Sequence, residues 1–172
     1  MRTTLKRKAK KVDVDILTQF DQTAWAAYKA IYSESWKPEE ERADILEAFA
    51  AAEGAAGRIR LGIARADGVP VAAQFWTVEN GTAYIHKLAH IEAATALSAG
   101  TTLSAALFEY VIDTDGVELV DFGTGSDAYK RDWMEQVRPR FRLTCLDWRQ
   151  PRAWPAIAKA FVRHLAPHNR PS

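Results

Sequence analysis

The chain lacks the features that mark several specialised classes of protein. Its 172 residues include one cysteine, Cys145, which permits neither an internal disulfide nor a cysteine-built zinc site. The net charge is +1, too small for a field that recruits nucleic acid or an anionic membrane. No run of about 18 apolar residues could form a membrane-spanning helix, and no apolar segment follows the basic N-terminus as in a signal peptide. These absences predict a soluble, cytoplasmic protein.

The composition is that of an ordinary globular domain. Hydrophobic residues make up 48% of the chain and charged residues 26%. We expect a basic segment at 1–11, a single domain over 12–150, and a C-terminal helix and tail over 151–172. The basic segment could act as a nucleic-acid-binding arm, but nothing downstream would join it in a folded patch. Nucleic acid is therefore not an expected partner.

The first part of the domain predicts one strand and two helices. Apolar residues alternate with aspartates at 12–16, which indicates a short strand with one buried face. A helix over 21–33 would begin with Asp21 as its N-cap. A second helix is predicted to begin after Pro38, with three glutamates at its positive end. Its inward-facing residues are predicted to be Ile45, Leu46 and Phe49.

Two tight turns predict a three-stranded antiparallel meander. Asp-Gly at 67–68 and Asn-Gly at 80–81 separate three apolar runs, and both dipeptides favour the positive φ angles of two-residue hairpins. The opposed pairs would then be Gln74–Lys87, Trp76–Ile85, Gln74–Leu61 and Trp76–Ile59.

This register gives Lys87 an unusual setting. A lysine in mid-strand among apolar groups is costly unless it is paired or faces a cavity, so we interpret Lys87 as a pocket residue, with a snorkelling edge lysine as the alternative. His86 falls on the opposite face with Phe75 and Thr77 and is interpreted as a core or surface histidine. The four histidines have no metal-ligand spacing, and we expect no metal site.

The rest of the chain alternates helices and strands. The pattern predicts a helix at 100–113, a strand at 117–122, a short helix at 126–135, a strand over "RFRLTCLDW" with Cys145 in the core, and a helix at 152–165. A helix between the strands at 82–90 and 117–122 indicates a parallel crossover. The fold class is therefore α/β (α+β), a mixed, mostly antiparallel sheet with helices on both faces.

This order is the layout of the GNAT acyl-CoA N-acyltransferase fold. The stretches "YKAIYSESWK", "LGIARADGVPVAAQFW", "YIHKLAHIEAATALSAGTTL" and "DFGTGSDAYKRDWM" resemble the GNAT-type domain of CelD-like, cellulose-biosynthesis-associated proteins, which are distantly FemAB-like. The resemblance covers roughly residues 5–150. It implies acyl transfer from acetyl-CoA to an amine or hydroxyl, and it suggests a saccharide or cell-envelope acceptor.

The chain departs from this family in two ways. CelD-like members usually have two GNAT halves, and the chain resembles only the second. Their Leu-Ser-Pro-Gly loop reads Leu-Ser-Ala-Gly at 97–100 here. The alternatives to an active enzyme are a catalytically silent binding or scaffolding half and a FemAB-like aminoacyl transferase. A lone half could form a homodimer or dock to another GNAT half.

The expected donor site is the start of the helix near residue 100. Free N–H groups and the helix dipole favour a pyrophosphate there, with a plain N-cap as the alternative. In GNAT folds the pantetheine arm enters where two parallel strands separate, here near Ala89 and Phe122. The predicted donor-binding residues are Ser98, Gly100, Thr101, Thr102 and Ala89.

The resemblance also implies catalytic residues after the second of these strands. Tyr129 corresponds to a tyrosine that donates a proton to the leaving sulfur, with an amphipathic residue on a helix flank as the alternative. Lys130 could stabilise negative charge or bind an acidic substrate, with a residue on a solvated face as the alternative. Asp121 is a candidate base or substrate anchor, with a hydrogen-bonded turn residue as the alternative. Lys87 completes the catalytic candidates. The predicted acceptor-binding residues are Gln74, Trp76 and Trp36.

Overall fold

The computed structural model describes residues 11–125, 127–141 and 143–165. By contacts the chain divides into two compact units, Met1–Asp127 and Ala128–Ser172. Among the described residues, the first unit contains the sheet, three α-helices and a 3₁₀ helix, and the second contains one α-helix, two short 3₁₀ helices and irregular chain. Within the described ranges, no helix has the length and apolar character needed to cross a membrane.

Five strands form one sheet in the order β1-β2-β3-β4-β5. Every neighbouring pair is antiparallel except β4 and β5, which run parallel. The strands are β1 Asp13–Leu17, β2 Ile59–Ala66, β3 Val69–Glu79, β4 Thr82–His90 and β5 Leu119–Asp121. The predicted meander and parallel crossover are confirmed.

The helices are α1 Gln22–Ser33, α2 Ala43–Ala55, α3 Ala99–Asp113 and α4 Trp154–Leu165. The carboxylate of Asp21 caps α1, accepting a hydrogen bond of 2.7 Å from the amide of Ala24. The prediction for α2 is wrong: it begins at Ala43, so the three glutamates belong to the preceding loop. Ile45 is half exposed and Phe49 is more than one third exposed, whereas Ala50 is buried.

Each face of the sheet packs against helices. On the α3 face, Trp76 meets Leu103, Leu107 and Val111 in one buried cluster. On the α1 face, Phe75 meets Trp25, Tyr28 and Ile31 in another. Gly62 permits close packing on the α3 face, since a Cβ there would lie 2.9 Å from Leu103 and Leu107 carbons.

Two β-bulges shift the predicted register. Val71 is an extra residue on β3, so Gln74 opposes Gly62 and Trp76 opposes Arg60. His86 is an extra residue on β4, so Lys87 opposes Phe75, while Trp76 still opposes Ile85. A bulge changes the alternation of side chains, and a turn sequence cannot reveal it. The predicted face shared by Gln74 and Lys87 is therefore wrong.

The second unit contains less regular structure than predicted. A single 3₁₀ turn, Ala128–Asp132, stands within the predicted helix at 126–135, of which Ser126 lies outside the described residues. No strand is present among the described residues of "RFRLTCLDW", which leave out Arg142. Cys145 is exposed rather than buried. An alternating pattern gives a strand only where another strand supplies hydrogen-bond partners.

Candidate active site

β4 and β5 pair over only three positions, Thr82–Leu119 to Tyr84–Asp121. Beyond Tyr84, β4 continues for six residues, from Ile85 to His90, with no described strand beside it on that edge. Gly123 is still close to this strand, since a Cβ there would lie 3.9 Å from the carbonyl oxygen of Ile85. The two strands therefore part after a short parallel contact, which leaves backbone hydrogen-bonding groups of β4 for another partner.

Helix α3 begins close to the end of this unpaired stretch. Its first amides have no partner within the helix and form a favourable seat for an anion. Ser98 precedes the helix in the left-handed conformation, with φ 54°, and its side chain makes no capping hydrogen bond. Thr101 is exposed, whereas Thr102 is buried with a hydroxyl that has no hydrogen-bond partner among the described residues.

The side chain of Gln74 links the start of α3 to the sheet through hydrogen bonds. Its Nε2 donates to the carbonyl oxygen of Gly100 at 3.1 Å and to the hydroxyl of Ser104 at 2.7 Å. Its Oε1 accepts a hydrogen bond of 2.9 Å from the indole N–H of Trp76. Gln74 and Trp76 are fully buried, so the structure gives them internal contacts instead of a surface for an acceptor.

His90, at the end of β4, lies beside the first turn of α3. A Cβ on Gly100 would stand 3.4 Å from its Nδ1, which is buried without a hydrogen-bond partner among the described residues. Trp36 packs on the His90 ring at 4.4 Å between centroids. Burial lowers the pKa of His90 and Lys37 lowers it further, while Glu92 opposes the shift. The imidazole is therefore neutral at pH 7.

Lys87 emerges on the other face of the sheet, toward α1. Its ammonium forms an ion pair with Glu40 and lies 5.6 Å from the centroid of the Tyr32 ring. The pair is partly buried, with 27% of the Lys87 side chain and 23% of the Glu40 side chain exposed. A lysine in mid-strand is thus compensated by a partner, as the sequence required.

A cavity of about 420 Å³ adjoins this ion pair. It is lined by α1, the loop after it and the start of α2, including Tyr28, Tyr32, Glu39 and Glu40. Tyr28 is only 2% exposed, and its hydroxyl has no hydrogen-bond partner among the described residues. Burial, with the nearby Tyr32 and Glu40, raises the pKa of Tyr28, so the phenol stays protonated.

The bulged His86 lies on the same face as Phe75 and Thr77, as predicted, and this is the α1 face. Its Nε2 is 2.8 Å from the hydroxyl of Thr77, and its ring contacts those of Phe75 and Phe49 at 5.0 and 5.2 Å. These contacts satisfy the imidazole without a ligand.

The remaining predicted residues lie after β5. Asp121 ends that strand, and its carboxylate accepts a hydrogen bond of 2.6 Å from the amide of Gly123, as expected of a turn residue. Tyr129 and Lys130 belong to the second unit, where Tyr129 is 43% exposed and Lys130 is buried. Ala89 is fully buried, so only its backbone could contact a donor.

Sequence reasoning missed Tyr28 and Glu40. Tyr28 lies within the predicted helix at 21–33, and helical periodicity does not distinguish a core residue from one lining a cavity. Glu40 was assigned to the first turn of α2. The one available signal was Lys87, which required a partner that the sequence did not identify.

Comparison with protein families settles the family. The model for the acetyltransferase (GNAT) domain matches residues 1–131. The chain belongs to this family. GNAT domains transfer an acetyl group from acetyl-CoA, so acetyl-CoA is the co-substrate of this class of enzyme. No significant match was found among curated protein sequences.

Solved structures support the same fold. AAC(6')-Iy, an aminoglycoside N-acetyltransferase solved with CoA and with a bisubstrate analogue, has a TM-score of 0.57 and 14% identity, over 78% of this chain and 99% of that one. An aminoglycoside acetyltransferase from an uncultured soil metagenomic sample, solved with sisomicin, has a TM-score of 0.57 and 16% identity, over 79% and 97%. The ribosomal-protein-S18-alanine N-acetyltransferase of Escherichia coli has a TM-score of 0.55 and 16% identity, over 70% and 72%.

The described residues suit an acetyl-CoA substrate. The unpaired edge of β4 offers backbone groups to an amide-containing arm, and the start of α3 offers free amides to a pyrophosphate. The buried, unpartnered hydroxyl of Thr102 lies in the first turn of that helix. No group of three or more metal-ligating side chains occurs in the part of the chain that the structure describes.

Proposed function

We propose that the protein transfers an acetyl group from acetyl-CoA to an amine or hydroxyl by direct attack on the thioester. The observation that carries this proposal is the early separation of β4 from β5, with the start of α3 close to the end of β4. Such a gap fits the pantetheine arm, and the helix start fits the pyrophosphate. Ala89, Gly100, Thr101 and Thr102 would form this donor site, while Gln74 positions it from inside the protein.

The reaction needs few groups from the protein because the thioester is already activated. The acceptor nitrogen or oxygen forms a bond with the carbonyl carbon, and the carbon–sulfur bond breaks. The acceptor loses a proton to a base, and the departing thiolate gains one from an acid. Positioning of the two substrates supplies much of the rate. We assign Tyr129 as the acid, with Lys130 stabilising the thiolate and Asp121 as a candidate base.

We place the acceptor in the cavity beside α1. Trp36, which packs on the ring of His90 at the end of β4, is a further acceptor-binding residue in this proposal. The resemblance to CelD-like proteins favours a saccharide or cell-envelope precursor in the cytoplasm. Acetyltransferases with aminoglycoside and ribosomal-protein substrates share the fold, so the acceptor must be found by experiment.

Calorimetric titration with acetyl-CoA tests the donor site. We expect one site per chain, with similar affinity for CoA and acetyl-CoA. Release of the thiol from acetyl-CoA then reports turnover with candidate acceptors. Tyr129→Phe should lower kcat more than it weakens donor binding, and equal losses in both would contradict the assignment of Tyr129 as the acid.

A catalytically silent scaffolding half is the second candidate. It is favoured by the exposed apolar side chains of the second unit, where Phe141 is 89% and Leu143 is 88% exposed. Apolar side chains this exposed could contact another GNAT half or a second copy of the chain. Lack of acetyl-CoA binding at millimolar concentration would favour this alternative.

A further inference from the structure

We propose that helix α4 and the turn before it bind the surface of an anionic membrane. The charges are unevenly distributed along the chain, although their total is only +1. Residues 12–127 carry seven lysines and arginines against 19 aspartates and glutamates, whereas residues 128–172 carry ten against three, a formal net charge of +7. The second unit can therefore attract an anionic surface. The match to the family model ends at residue 131, so this proposal is independent of acyl transfer.

Helix α4 has an apolar stripe that the described residues leave uncovered. Trp154, Phe161 and Val162 share one side of the helix, because they are spaced by seven and eight residues. Their side chains are 60%, 64% and 66% exposed, and the exposed Lys159 lies away from this side. Tryptophan and phenylalanine opposite a basic side are typical of helices that lie in the membrane interface. At 12 residues, α4 is too short to span a bilayer, so it would lie along its surface.

The turn before α4 adds a second tryptophan and an arginine. The indole N–H of Trp154 donates to the carbonyl oxygen of Trp148 at 2.9 Å, which links the turn to the helix. Trp148 is 69% exposed, and the guanidinium of Arg149 lies 5.3 Å from the centroid of its ring. Arginine can bind phosphate through two N–H groups, and tryptophan is enriched at the level of lipid headgroups. We call Trp148, Arg149, Trp154, Phe161 and Val162 the α4 surface.

The α4 surface fits a lipid bilayer better than other anionic partners. A nucleic acid would pair with the arginine and stack on the tryptophans, but it offers no apolar layer for Val162. A second copy of the chain would offer the acidic groups of residues 12–127. The exposed large apolar side chains described there, however, are spread over α2, α3, three strands and the loop after α1. A bilayer supplies anionic phosphates with an apolar layer beneath them.

The test is co-sedimentation of the full chain with vesicles of phosphatidylcholine, with and without phosphatidylglycerol. We expect binding to the anionic vesicles, about tenfold weaker binding to the neutral ones, and loss of binding at high salt. Phe161→Glu should weaken binding to anionic vesicles about tenfold or more, because it places a charge in the apolar layer. Ala156→Glu is the matched control: it adds the same charge at an exposed residue on the opposite side of α4 and should have a much smaller effect.

Arg149→Glu tests the contribution of charge without changing the helix. It should weaken binding to anionic vesicles about tenfold or more. Arg42→Glu makes the same change at an exposed arginine of the first unit and should leave this binding unchanged. Equal circular dichroism spectra of the four variants exclude unfolding as the cause.

The proposal is overturned if anionic and neutral vesicles bind equally, if Phe161→Glu and Ala156→Glu bind anionic vesicles equally, or if Arg149→Glu binds them as the original protein does. It is also overturned if single-stranded RNA binds the chain and vesicles do not, which would assign the α4 surface to nucleic acid. A dimer that Phe161→Glu dissociates, without any vesicle binding, would assign it to a second copy of the chain. Titration with acetyl-CoA tests acyl transfer separately, and all four variants should bind the donor equally.

Discussion

The buried polar side chains on the two faces of the sheet differ in their hydrogen-bond partners. On the α3 face, the side chains of Gln74, Trp76 and Ser104 bond to one another and to the first turn of the helix. On the α1 face, Tyr28 lines a cavity, and its buried hydroxyl has no partner among the described residues. This difference supports the proposal that the α3 face positions the donor site, while the α1 face leaves polar groups for an acceptor.

The largest expected effect is on the α3 face. The guanidinium of Arg60 donates to both oxygens of Asp115 at 2.7 and 2.8 Å, in a pair only about one tenth exposed. Asp115→Ala should lower the free energy of unfolding by about 3 kcal/mol, because it leaves a buried charge unpaired. Urea denaturation measures this loss.

The exposed pair between Arg65 and Asp15, with an N–O distance of 3.2 Å, provides the control. Asp15→Ala should cost less than about 1 kcal/mol. Similar losses for the two variants would contradict the contrast between a buried clamp and a surface pair.

Gln74→Met is expected to have the next largest effect. It removes the partners of Trp76 Nε1, Ser104 Oγ and the Gly100 carbonyl, so we expect a loss of about 2 kcal/mol. Because the start of α3 loses its anchor, affinity for acetyl-CoA should also fall. Gln22→Met, at an exposed residue, is the matched control. If the Gln74→Met protein is destabilised but binds acetyl-CoA with unchanged affinity, Gln74 contributes to folding and not to donor binding.

Tyr28→Phe should differ from Gln74→Met in both respects: stability should change little, and binding of the acceptor rather than the donor should weaken. The hydroxyl has no internal partner to lose, so the free energy of unfolding should stay within about 1 kcal/mol of the original protein. The KM for the acceptor should rise while the KM for acetyl-CoA stays the same. A large loss of stability would show that the hydroxyl is needed by the fold, and the contrast between the faces would then fail.

The smallest effect concerns pH. Burial lowers the pKa of His90 below 6.5, so the unfolded chain binds this proton more readily than the folded chain does. The contribution of His90 to the free energy of unfolding is therefore fully present above pH 6.5 and declines as the pH falls below that value. Denaturation at pH 7.5 and pH 5.5 measures the decline, and His90→Gln should reduce it. An equal decline in the variant would assign the effect to other groups.

The sequence predicted those parts of the fold that depend on local chemistry. The turns at 67–68 and 80–81 appeared where predicted, with φ of 49° at both Asp67 and Asn80. The N-cap at Asp21 and the helix over 100–113 were confirmed. These features depend on nearby residues in the chain, and nearby residues are visible in a sequence.

The sequence did not predict features that depend on distant neighbours. The bulge at His86 moved Lys87 to the α1 face, and the late start of α2 left Glu40 in a loop beside it. The alternation at 140–148 gave no strand among its described residues, and Cys145 is exposed. The proposed donor site follows from the order of elements and stays a prediction, whereas the cavity arises from two helices and the loop between them, which only the folded chain brings together.

Hydrogen exchange with and without CoA tests the central claim most directly. We predict new protection of backbone amides in two segments, Ile85–His90 on β4 and Ala99–Thr102 at the start of α3, because these would contact the pantetheine arm and the pyrophosphate. Binding of CoA with protection elsewhere, and none in these two segments, would contradict the account.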